Sequence, residues 1–289
     1  MKIKNHMVIA VAFVIGLSAC SSTPKTEQEQ FNELQRSISF KAFKKITDKT
    51  VNPSLELYNK KKKQDQSEVH PEIVHAFTSV SLALANYPTF SAASAVLATE
   101  AADDDIGRYV AYSAMSLSLH SNGWDELGSQ YAAMASIEEK GEVLDEKYQD
   151  ARITAKVILG LSAIQQGDGV SAESLFSELG DKTGQDWLPI VAHGAAILMD
   201  GPGLSTISKL NTFANREDIS FSQKQKLLQL RMLAGDTNGS IEDGKTAVLK
   251  SVTQWSLSAL ESLGEVAVNS TYEAAKNSAE KILLIIANK

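Results

Sequence analysis

From Phe31 onward, apolar side chains recur at the three- and four-residue spacing of one helix face, first as Phe31, Leu34, Ile38, Phe40 and Phe43. Asn52-Pro53 and the lysines Lys60 to Lys63 interrupt that stretch. Pro71 suits the first turn of a new helix, where a missing N–H costs nothing, and the pattern then runs to about Ala85. Asn86-Tyr87-Pro88 follows as a turn. Ile282-Leu283-Leu284-Ile285-Ile286, the longest strongly apolar run of the body, reads as a terminal helix docking into a core. No stretch alternates with the two-residue period of a strand, so the expected fold is all-α, built from antiparallel helical hairpins.

The middle of the chain carries a period. Gly167, Gly201 and Gly235 stand 34 residues apart, each in a turn-rich cluster between two helical stretches. Ala172, Thr206 and Ser240 lie five residues past them, and Gly160 and Gly194 lie seven residues before the first two. A helix–turn–helix period of this length resembles the tetratricopeptide repeat. Leu159-Gly160, Gly167, Ala172 and Phe176 fall at that repeat's spacing. The second unit departs from it with His193 and Leu210, and the third with Leu228 and Gly244. A further hairpin, at Ser121-Asn122-Gly123-Trp124, sits off the period. The resemblance implies a stacked α-solenoid; an irregular helical bundle is the alternative. It also implies a groove on the first helix of each unit, with Val157, Leu161, Ile164, Leu188, Val191, Leu198, Met199 and Met232 as its apolar lining. Such a surface suits an amphipathic helix or an apolar peptide segment. These residues are equally suited to be core.

The N-terminus has a different pattern. Met1 to His6 is a short basic segment, and Met7 to Leu17 an apolar stretch of eleven residues. A membrane-spanning helix needs about 20, so this stretch fits the apolar region of a secretory signal. It ends in Leu17-Ser18-Ala19-Cys20, which resembles the lipobox of bacterial lipoproteins at all four positions. That resemblance implies a diacylglycerol on the Cys20 thiol, cleavage before Cys20 and acylation of the new amine. Each buried CH2 contributes about 0.8 kcal/mol, and several chains anchor stably where one does not. Ser21 and Ser22, where an aspartate would signal retention, imply an outer-membrane, periplasm-facing location by similarity to enteric sorting. Cys20 is the one cysteine of the chain, so no intrachain disulfide forms. The expected organisation is a signal peptide over 1–19, the lipidated cysteine and a polar linker over 20–30, a basic helical segment over 31–70 and a helical-repeat domain over 71–289.

Composition supports this outline and adds an asymmetry of charge. The chain is 43% hydrophobic but only 7% aromatic, which suits close helix packing better than a sheet. Residues 36–63 carry nine basic side chains against two acidic ones, a net +7, whereas residues 64–289 carry a net −14. The positive part lies next to the expected anchor, where an anionic leaflet attracts it at about 1 kcal/mol per charge; a solvated stalk is the other reading. The acidic body argues against nucleic acid as a partner.

The sequence carries no recognisable catalytic or metal-binding constellation. His70 and His75 are five residues apart across Pro71 and do not share a helix face as a zinc pair requires. His120 and His193 are isolated and suit capping or core positions. Asp236-Thr237-Asn238-Gly239 has its glycine two places early for a calcium loop and Ala247 where that loop needs glutamate. Lys182-Thr183-Gly184 and Ser278-Ala279-Glu280-Lys281 match elements of penicillin-binding enzymes in reversed order and out of context. Asp103-Asp104-Asp105 suits a helix start. The sequence therefore predicts a non-enzymatic, cofactor-free lipoprotein scaffold that binds a protein partner at the outer membrane. An envelope or cell-wall tether with no specific protein client is the alternative.

Overall fold

The computed structural model describes residues 24–61, 70–139, 149–201, 203–235, 241–263, 277–278, 280–282 and 284. Cys20, Lys62, Lys63, Asp236 to Ser240, Leu283, Ile285 and Ile286 lie outside the described residues. Among those described, regular structure is helical and no strand occurs. The helices are α1 (Glu27–Arg36), α2 (Ile38–Ile46), α3 (Asn52–Lys61), α4 (Pro71–Leu84), α5 (Pro88–Ala101), α6 (Asp105–Ser121), α7 (Asp125–Glu139), α8 (Gln149–Gln166), α9 (Gly169–Thr183), α10 (Trp187–Leu198), α11 (Leu204–Ala214), α12 (Phe221–Gly235) and α13 (Ile241–Ser262).

Local chemistry sets many of the helix starts. Thr26 and Glu29 form a reciprocal capping box on α1, and Ser37 caps α2. Pro71 and Pro88 open α4 and α5. Asp104 accepts from the Gly107 N–H at the start of α6, the role expected of the aspartate run, and Asp168 accepts from the Ser171 N–H in α9. The turn after α4 places Asn86 at φ 63°, and the turns at Gly123, Gly167 and Gly201 also use positive φ. Glycine takes that backbone without the Cβ clash other residues meet.

The expected break at Asn52-Pro53 does not occur. A π-helical turn, Thr47–Val51, joins α2 to α3, and the Asn52 N–H reaches back to the Thr47 carbonyl. Proline lacks an N–H and crowds the preceding turn of a regular helix. The wider turn accommodates Pro53, so the helix runs on through it.

Neighbouring helices pack as antiparallel pairs. α4 lies against α5, α6 against α7, α8 against α9, α10 against α11 and α12 against α13. The first helices also touch in succession, α4 to α6, α6 to α8, α8 to α10 and α10 to α12. α13 breaks this order by packing on α8, α9, α10 and α4 as well. Its Trp255 meets Trp187 edge-on at 5.6 Å, with the Lys226 ammonium 4.5 Å from the Trp187 ring centroid and 5.4 Å from that of Trp255. One core cluster extends from Phe31 to Ile282. The basic N-terminal helices belong to it through Phe31, Leu34, Phe40, Phe43, Val51 and Leu55, and the Phe43 ring stacks on Phe90.

Small residues permit the close approaches. A Cβ on Gly160 would stand 2.6 Å from the buried Phe176 ring, and one on Gly194 would collide with Leu227 and lie 3.3 Å from Leu210. Gly160 with Phe176, and Gly194 with Leu210, are the same contact one period apart.

Two outcomes are expected. Gly160→Ala lowers stability by about 1–2 kcal/mol despite the better helix propensity of alanine, because overpacking a filled core costs more. Adding Phe176→Leu recovers part of the loss, as thermal denaturation of the single and double variants will show. His75, 5% exposed, has its pKa lowered from 6.5 to about 4, chiefly by burial, against the opposing charges of Asp48 and Glu100. The unfolded chain therefore takes up this proton first as pH falls. Stability is full above the unfolded value and declines between 6.5 and 4, by up to about 3 kcal/mol. In His75→Gln that part of the pH dependence disappears from urea titrations.

Candidate functional site

The eight positions that the repeat resemblance assigns to a groove lie on or beside α8, α10 and α12. Val157, Leu161, Ile164, Leu188, Val191 and Leu198 are buried in the core, Met199 is half-buried and Met232 is exposed. They share that core with α13, which packs against all three helices and adds Val248, Leu249, Val252, Ala259 and Leu260 to it. Six of the eight side chains are thus covered by the protein itself. Met199 lines a cleft of about 330 Å³ with Leu84, Gln165, Lys245 and Leu249, where the ends of the first helices meet the start of α13.

Exposed apolar side chains stand singly on several helices, Ile137, Val170 and Leu204 among them, but on α12 three of them align. Phe221, Leu228 and Met232 are 76%, 54% and 63% exposed. Their spacing of seven and four residues puts them on one helix face. The opposite face, Gln223, Leu227, Leu230 and Ala234, is buried. This helix therefore presents apolar side chains in two directions, one towards the core and one towards solvent. Gln225 and Gln229, both exposed, lie beside the outward stripe. Three large apolar side chains aligned in this way form a candidate surface, unlike single scattered exposures. Their alignment was available from the sequence, but the period alone does not tell which of two apolar faces meets the core.

Of the histidines singled out from the sequence, His70, His120 and His193 have side-chain partners. His120 packs on Gly128, its Nδ1 lies 3.1 Å from Asp125, and burial lowers its pKa. His193 stacks on Phe213 at 4.1 Å, with its Nδ1 2.8 Å from Glu173. His70 lies 3.4 Å from Glu72 and His75 is elsewhere on α4, so the two do not converge on a shared ligand. Among the described residues, no three His, Cys, Asp or Glu side chains are placed to hold a metal ion. Arg152, Lys156 and Lys182 gather on Glu178, and Lys156 also meets Glu139 at 2.8 Å. Burial works to raise the Glu178 carboxyl, but the hydrogen bond from Lys156 and the nearby Arg152 charge outweigh it and hold the pKa below the ordinary value. This network ties α7, α8 and α9 together. The lipobox, including Cys20, falls outside the described residues. No helix among those described is long and apolar enough to cross a membrane.

No protein-family model matches this chain, and searches of curated proteins and of solved structures find no match either.

Proposed function

We propose that this chain is a lipid-anchored, periplasm-facing protein of the outer membrane that holds a partner protein through the outward face of α12. The observation that carries the reading is the aligned stripe of Phe221, Leu228 and Met232 on a helix whose other face is already buried. An amphipathic helix laid along it would bury apolar area on both sides, at about 25 cal/mol per Å². The lipobox resemblance at Cys20 supports the anchor, which would raise the local concentration of any bound partner. The recurring contacts of Gly160 with Phe176 and of Gly194 with Leu210 support a tetratricopeptide-like stack as the scaffold. In this reading the groove of the stack is filled by α13, and recognition moves to the open face of the last hairpin.

A specific observation also favours a tether to the envelope. Lys41, Lys45, Lys49 and Lys60 are exposed on the helices nearest the expected anchor. They form a positive surface suited to anionic lipid or wall polymer. Charge reversal at Lys60 to Lys63 separates the two readings, because a tether loses envelope binding and a client scaffold does not.

For the leading reading, Phe221→Glu, Leu228→Glu and Met232→Glu together should change stability little, since the side chains are exposed. The triple variant should lose a protein that the parent recurrently captures on in-cell crosslinking. A partner spectrum identical to the parent's would overturn the α12 assignment. For the anchor, Cys20→Ser should shift the protein from washed membranes to the soluble fraction with its circular dichroism unchanged. Retention of the variant in washed membranes would count against lipidation.

A further inference from the structure

The π-helical turn and α3 arch over the ends of α4 and α5 and leave a cleft of about 320 Å³ between them. Its charged lining is unbalanced, with Asp48, Glu56 and Glu100 against Lys44 alone. Lys44 is already committed to Glu100 at 2.6 Å. Among the described residues, Asp48 receives only a long 3.4 Å bond from Asn52, and Glu56 only a distant, solvent-exposed contact from Lys60 at 3.8 Å. Acidic side chains on a surface are ordinarily just solvated, so a second feature is needed to mark a site.

That feature is His75. It is buried to 5% exposure, lines the cleft, and makes no side-chain hydrogen bond to any other described residue. Tyr109 Oη, and no His75 nitrogen, is the fully enclosed side-chain polar atom left without a partner among the described residues, so the His75 ring keeps an opening to the cleft through which a ligand could meet it. Here Asp48 and Glu100 act on the ring by charge alone. Burial keeps the ring neutral, so one nitrogen carries a lone pair free to accept a proton donor, which an imidazolium would repel.

Size and shape decide the kind of cation. Three carboxylates around one cleft suggest a metal at first, yet no three such groups among the described residues converge on one point. A bare ion would satisfy one carboxylate and leave the others unmet. The volume suits a small organic molecule, since ligand sites begin at roughly 300 Å³. Leu55 and Leu97 give the cleft an apolar wall. A short alkyl chain would lie on that wall while its ammonium group meets the carboxylates and the imidazole.

We propose that the cleft between the π-turn, α3, α4 and α5 binds a small alkylammonium compound, with Asp48 and Glu56 supplying the charge and His75 accepting a hydrogen bond from the ammonium. This site is separate from the α12 surface and does not depend on its role.

The test is titration calorimetry of the full-length chain in mild detergent at low ionic strength, with 1,5-diaminopentane as ligand and pentane-1,5-diol as its uncharged counterpart. Saturable binding of the diamine, and none of the diol, is expected. Asp48→Asn and Glu56→Gln should each weaken binding roughly tenfold, the loss of one charged contact. Both side chains are exposed, so the fold should survive these changes. His75→Gln should weaken binding as well, with circular dichroism as the check on folding. Glu126→Gln, an exposed change on α7, should leave binding unaltered and so separate a local site from the overall negative charge. Absence of saturable diamine binding, equal binding of the diol, or full binding by the Asp48→Asn/Glu56→Gln double variant would overturn the proposal.

Discussion

Where α8 meets α9, the missing side chain of Gly160 lets the Phe176 ring sit within 2.6 Å of the place a Cβ would occupy. The rest of the packing depends on approaches of this kind. Gly194 admits Leu210 and Leu227, Gly128 admits the His120 ring, and Gly169 admits that of His193. Serine serves the same end where a hydroxyl can be paired. Ser79 bonds to Ser91 between α4 and α5, and Ser116 to Ser162 between α6 and α8, all four fully or nearly buried. The abundance of small residues is thus a packing requirement. Helices this close bury little area per residue, but they leave few voids and fix each pair in one register.

α13 turns this array of pairs into a body with a direction. A simple stack would present its first helices as a continuous inner face, and the apolar positions on α8 and α10 suit that role. α13 packs across these helices, pinned at its far end by Trp255 on Trp187 with the Lys226 ammonium over both rings. Cation–π contacts of this sort contribute about 0.5–2 kcal/mol each. The core gains a complete lining, and the outer face of α12 is left without a neighbour. The exposed apolar stripe and the covered inner face are therefore two results of one choice, the path of the last long helix.

Much of this was legible in the sequence. Pro71 and Asp104 start helices because each meets the particular needs of a first turn, and those needs are local. The glycine turns at 123, 167 and 201 were legible for the same reason, as was the all-helical class. What was not legible has a cause of the opposite kind. Asn52-Pro53 reads as a break only if the helix before it is regular, and the π-turn that spares it has no side-chain signature. The groove positions were identified as apolar, but periodicity reports that a face is covered, not by what. On α12 the outward stripe and the core face are both apolar, so the sequence left their assignment open. The site at His75 joins residues from four elements, and no local pattern unites them.

The reach of α13 from α12 to α4 has one more consequence, for the order in which the chain closes. A stack linked only between neighbours tolerates stepwise assembly and stepwise fraying, one hairpin at a time. Here an early hairpin is completed by a helix that begins at residue 241, more than 150 positions later in the chain. Contacts of such long range are entropically late. The first hairpins therefore stand with an uncovered flank until nearly the whole polypeptide has been made, and the body then locks as a unit.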